Sequence, residues 1–123
     1  MNCFHTHSTN LQDLLDKLPD YDKVKEVSDV LSVLSDPTRV RILWLLCHTT
    51  ECVTDIALAI NMSSPAVSHH LKLLKEAGII TSKKEGKEML YTLAKNKNAR
   101  LIHDLLDNML EIVCPNLNEP YEE

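Results

Sequence analysis

Residues 50–80, "TECVTDIALAINMSSPAVSHHLKLLKEAGII", decide the fold. Val53, Ile56, Ala57 and Ile60 recur at helical spacing within the segment from Cys52 to Ile60. After the polar break "NMSS", the pattern predicts a second helix from Pro65 to Ala77 with Val67, Leu71 and Leu74 facing inward, ended by Gly78. Residues 79–93, "IITSKKEGKEMLYTL", then alternate apolar and polar side chains around "KKEGK", the pattern of a β-hairpin with Gly86 in its turn. Two short helices, a tight polar turn and a lysine-bearing hairpin make a winged helix-turn-helix. The expected fold class is therefore mainly α with a small β-hairpin wing.

Working outward, Leu11, Leu14, Leu15 and Leu18 predict a short amphipathic helix stopped by Pro19. A second helix is expected from near Asp22, with Val24, Val27, Val30, Leu31 and Leu34 on one face. "SDPTRVRILWLL" restarts the chain, with Asp36 placed as a cap, Pro37 at the first helical position and Trp44 expected in the core. The last helix, roughly residues 98–113, carries Leu101, Ile102, Leu105, Leu106, Met109 and Ile112 along a stripe broader than a small domain's own core needs. Pro115 ends it. Residues 1–9 read as a flexible arm, 10–115 as one folded domain and 116–123 as a disordered acidic tail.

With 123 residues, 44% hydrophobic and 25% charged, the composition is that of a single globular domain. The net charge of −5 argues against nucleic-acid binding only if it is counted globally. Between Ser63 and Lys97, seven lysines face three glutamates, a local balance of +4 that leaves −9 for the remainder. One end of the molecule is thus a candidate polyanion site, against the plainer reading of a solvated lysine face. No apolar run could span a bilayer and the start "MNCFHTHSTN" lacks the pattern of a signal peptide, so no membrane association and a cytoplasmic location are expected. In a reducing compartment the four cysteines read as free thiols or metal ligands. Two glycines, no phosphate-cradling loop and no paired carboxylates argue against an enzyme.

The second helix of the reading unit offers Ser63 and Ser64 at its amino end, followed by Ser68, His69 and Lys72, side chains suited to phosphates and base edges in a major groove. Lys83, Lys84 and Lys87 near the hairpin tip would reach the adjacent backbone. His69 and His70 are adjacent and face different directions, and Ser68 has no acid to orient a histidine base toward it.

A different chemistry is suggested by Cys52 and Asp55, placed i and i+3 on the first helix of the reading unit. A thiolate and a carboxylate suit a borderline divalent ion but are too few alone. The arm "C-F-H-T-H" sets Cys3, His5 and His7 at alternate positions, pointing the same way if extended, and Cys3 with one of these histidines would complete a four-ligand site.

Taken together, "LSDPTRVRILWLL", "ECVTDIA", "SSPAVSHHLKLLKEAGII" and "KKEGKEMLYTL" resemble the ArsR/SmtB family of metal-responsive transcriptional repressors over roughly residues 24–111. The resemblance implies a homodimer packed through the first and last helices and a double-stranded DNA operator with twofold symmetry. It further implies a metal bound between the arm and the "C-V-T-D" segment. Thr54 stands where arsenic- and cadmium-responsive members carry a second cysteine, which disfavours trivalent arsenic and favours Zn(II) or Cd(II), with lead a further candidate. Other members bind zinc across their paired last helices. The matching positions here are Lys95, Lys97, Asn108 and Glu111, of which only Glu111 could ligate, so that site is expected to be absent. His103, Asp104 and Asp107 on the same helix could form an unorthodox substitute, but the plainer reading is that they are surface residues. Because relatives include thiol-based sensors, the alternative signal is oxidation or sulfur chemistry at Cys47, Cys52 or Cys114, with Cys47 and Cys114 as a possible disulfide; inert buried thiols are the plainer reading of Cys47 and Cys114.

Overall fold

The computed structural model of the chain describes residues 10–111. Residues 1–9 and 112–123, which include the expected arm, the expected last residues of the final helix and the expected acidic tail, lie outside the described residues. In order, the elements are α1 (Leu11–Asp16), α2 (Tyr21–Val33), α3 (Pro37–Leu46), β1 (Glu51–Cys52), α4 (Val53–Ile60), α5 (Ser64–Glu76), β2 (Ile80–Glu85), β3 (Glu88–Leu93) and α6 (Lys97–Leu110). The strands form one antiparallel sheet in the order β1-β3-β2. The winged helix-turn-helix read from residues 50–93 is present.

Local chemistry sets each junction. The Asp36 carboxylate accepts the Arg39 backbone N–H at 3.0 Å, and Pro37 occupies the first turn of α3, where its missing donor costs nothing. Asn61 closes α4 in the left-handed region at φ 56°, and the Met62 N–H reaches back to the Ala57 carbonyl at 3.0 Å. Ser63 then caps α5, its hydroxyl accepting the Ala66 N–H at 3.3 Å. Three residues thus make the whole turn between the two reading helices. At the far end of α5, Gly78 takes φ +76° while the Ile79 N–H bonds the Leu74 carbonyl at 3.1 Å. In the wing, Glu85 pairs with Glu88 across a two-residue turn whose first position is Gly86 at φ +65°. Positive φ at that position is what a type II′ hairpin turn requires.

The core lies among α3, α4, α5, the start of β2 and α6. Ile42, Leu43, Leu46, Ile56, Val67, Leu71, Leu74, Ile79 and Ile80 are all sealed from solvent. Each such aliphatic side chain contributes about 1.5–3 kcal/mol by leaving water. Helices α1 and α2 contain no buried residue, and Leu14, Leu15, Val24, Val27 and Leu31 are exposed on them. The outer face of α6 similarly exposes Leu101, Leu105 and Met109.

Three expectations are corrected. Cys52 does not begin a helix: it lies in β1, opposite Leu90 of β3, and serves as the extended cap residue before α4. Trp44 is half-buried against the His48 ring at 4.8 Å rather than sealed in the core. His103 and Asp107 are not surface residues, being only 6% and 9% exposed.

Candidate nucleic-acid interface and sensor residues

Helix α5 is divided lengthwise. Val67, Leu71 and Leu74 pack into the core, while Ser64, Ser68, His69 and Lys72 are exposed together with the cap residue Ser63. The Ser63 hydroxyl is engaged in capping, which leaves its remaining lone pair and its proton for any outside contact. Lys72 lies 4.0 Å from Glu76, an exposed pair that offers little competition to a phosphate. Lys83, Lys84 and Lys87 are all exposed around the wing turn, Lys83 with Glu85 at 3.9 Å.

Contacts that sequence reasoning missed hold this surface in place. The Lys75 ammonium donates to the Ser82 hydroxyl at 2.6 Å, tying the reading helix to the wing. Arg39 donates from Nε to the Val33 carbonyl at 2.6 Å and from Nη1 to His70 Nδ1 at 3.2 Å, so α3 grips α5 while bracing the end of α2. Since a guanidinium only donates, His70 accepts through Nδ1 in the neutral tautomer. The Arg39 backbone N–H, aided by the Arg39 guanidinium, holds the Asp36 carboxyl below the usual aspartate range against the opposing effect of burial. Asn96 bridges a second junction: its Nδ2 donates to the Gly78 carbonyl at 3.0 Å and its Oδ1 accepts the Ala99 N–H at 2.9 Å. The cap of α6 is thereby the clamp on the end of α5.

Of the expected metal ligands, Cys52 is buried and Asp55 is exposed in the first turn of α4. Cys3, His5 and His7 lie outside the described residues, as does Cys114. Cys47, the other candidate redox thiol, is half-buried at the end of α3. On α6, Asn108 donates to the Asp104 carbonyl at 2.8 Å and Glu111 forms the left-handed cap at φ 57°.

A different group of donors comes together. His48, just past α3, meets His103 and Asp107 of α6 so that one ligand atom from each lies within 4.8 Å of the others. His103 Nε2 stands 3.2 Å from Asp107 Oδ2, and the His48 and His103 rings meet edge to face at 5.2 Å. Burial, reinforced by neighbouring His103 and opposed by Asp107, pushes the His48 pKa below the usual histidine range. The i, i+4 spacing of His103 and Asp107 was visible in the sequence, but nothing in it linked them to a histidine 55 positions earlier.

No helix among the described residues is long and apolar enough to cross a membrane. Residues 36–82 match the bacterial regulatory protein, arsR family. The chain is 28% identical over 105 residues, 85% of its own length and 80% of the other's, to a transcriptional repressor SmtB homolog of Synechocystis sp.. To the cadmium resistance transcriptional regulatory protein CadC of Listeria innocua it is 36% identical over 104 residues, 84% of this chain and 82% of that one. In three dimensions it resembles the homodimeric winged helix-turn-helix DNA-binding domain of a possible ArsR-family regulator from Mycobacterium bovis, with a TM-score of 0.66 and 25% identity over 76% of this chain and 89% of that one. The sequence match and the divided reading helix agree: this chain belongs to the ArsR/SmtB family of winged helix-turn-helix transcriptional repressors.

Proposed function

We propose that the protein is a cytoplasmic homodimeric repressor that leaves a twofold-symmetric operator when a divalent metal binds. The observation carrying the DNA-binding half is the lengthwise division of α5, whose exposed stripe of Ser64, Ser68, His69 and Lys72 is locked to the lysine-bearing wing through Lys75 and Ser82. The amino end of α5 enters the major groove, and Lys83, Lys84 and Lys87 neutralise flanking phosphates. Dimerisation is supported by the exposed apolar faces of α2 and α6, which meet in a groove lined by Val27, Val30, Leu31, Leu101, Ile102 and Leu105, and by the homodimeric M. bovis neighbour.

The metal half rests on the cadmium-resistance relative and on the donor chemistry of Cys52 and Asp55, which with Cys3 and His5 or His7 of the arm form a mixed sulfur, nitrogen and oxygen set suited to Zn(II) or Cd(II). Because Cys52 is joined to β3, a ligand pulling on its thiolate acts on the strand that supports the wing. The test is titration of the reduced, metal-free protein with Cd(II), reading thiolate-to-metal absorption and operator binding together. Tight stoichiometric binding with DNA release is expected, and Cys52→Ser should keep operator affinity while losing the release. Metal-independent operator binding, broken instead by a mild oxidant and restored by reductant, would replace this signal with a thiol-based one.

A further inference from the structure

We infer that His48, His103 and Asp107 form a second divalent-metal site, contained within one subunit and joining the end of α3 to α6. The three donors share no residue with the arm set or with Lys95, Lys97, Asn108 and Glu111. They come from the end of α3 and from α6, with ligand atoms no more than 4.8 Å apart.

The geometry suits a tetrahedral ion. Bonds of about 2.0–2.1 Å place ligand atoms about 3.4 Å apart. His103 Nε2 and Asp107 Oδ2 already stand 3.2 Å apart, one helical turn from each other on α6. His48 completes the set by closing a gap of little more than an ångström, about a small side-chain rotation. Two imidazoles and a carboxylate without sulfur select Zn(II), Co(II) or Ni(II) over softer ions, and leave the fourth position for water.

The plainer reading is a buried histidine–carboxylate pair of His103 and Asp107. It leaves the second carboxylate oxygen unexplained: Asp107 Oδ1 is buried without a hydrogen-bond partner among the described residues. A carboxylate with one oxygen stranded in the interior is costly, and a cation next to it offsets that cost. Bound metal would fasten α3 to α6. Through α3 it would reach Arg39 and His70, and through α6 it would reach Asn96, so both braces on the reading helix originate in the fastened pair.

The experiment uses the full-length Cys52→Ser protein, in which the sulfur-containing site is disabled, titrated with Co(II). One equivalent per chain is expected, with the visible bands of a tetrahedral ion and no thiolate charge transfer. His48→Gln and Asp107→Asn in that background should each weaken binding at least about 100-fold, since even outer-shell losses reach that range. His5→Ala combined with His7→Ala should leave it unchanged. Circular dichroism without metal identifies any variant that fails to fold, and His48→Gln, at a half-buried position, is the variant to rely on if Asp107→Asn does. Equal Co(II) affinity in folded His48→Gln, or no tetrahedral spectrum in Cys52→Ser, would overturn the assignment. Neither result bears on the arm site, which is read by its own thiolate absorption in the wild-type protein.

Discussion

Asn96 makes two bonds with one amide, and separating them tests how the reading helix is anchored. Truncation by Asn96→Ala removes the cap of α6 and the clamp on Gly78 together. Loss of an asparagine cap costs about 1 kcal/mol. A neutral side-chain bond to a carbonyl contributes about 0.5–1.5 kcal/mol, and the exposure of Asn96 places it in the lower half of that range. The expected loss is therefore about 1.5–2 kcal/mol. Asn96→Asp caps equally well but has no donor for the Gly78 carbonyl, so it should lose only about 0.5–1 kcal/mol. Urea unfolding at fixed protein concentration reads both, the alanine variant shifting the midpoint by about 1 M for a slope near 2 kcal/mol per M. Hydrogen exchange at Gly78 and Ile79 should quicken in both variants, and at Ala99 only in the alanine variant. An aspartate variant as unstable as the alanine one would refute this division of labour.

Ile42→Ala, at a completely enclosed site in α3, should cost about 2–5 kcal/mol in the same urea assay. Lys84→Ala and Lys87→Ala should each weaken operator and non-operator DNA alike, reducing the slope of log affinity against log salt by about 0.9 per lost phosphate contact. The lowered pKa of Asp36 predicts an acid limb: the ionised carboxylate stabilises the fold above the ordinary aspartate range, and that stability is lost as pH falls through the depressed folded-state value. Acid titration of Asp36→Asn, followed by circular dichroism, should show this limb weakened at its lowest pH.

The reading unit was legible because each of its signals is local. Asp36 with Pro37, the polar break before Pro65, and Gly78 and Gly86 all act within a few residues, and the apolar spacing of Val67, Leu71 and Leu74 fixes which side of α5 faces inward. β1 escaped notice since two residues are too few to show a period, and its pairing with β3 is what converts Cys52 from a helix residue into a buried strand residue. His103 and Asp107 were misplaced for a related reason. Polar residues on an amphipathic helix default outward, whereas these two are buried where His48 arrives from the end of α3. The cross-braces of Arg39 to His70 and Asn96 to Gly78 join segments 31 and 18 positions apart, beyond the reach of any local pattern.

The lengthwise division of α5 also bears on how such a protein diverges. Residues 64, 68, 69 and 72 are exposed and lie off the buried face of the helix formed by Val67, Leu71 and Leu74, and the three-residue turn before it is fixed by Asn61 and Ser63 rather than by the exposed stripe. Target preference can therefore drift by single substitutions on that stripe at almost no cost in folding. A duplicated copy of this gene could acquire a new operator before it acquired any change in its core.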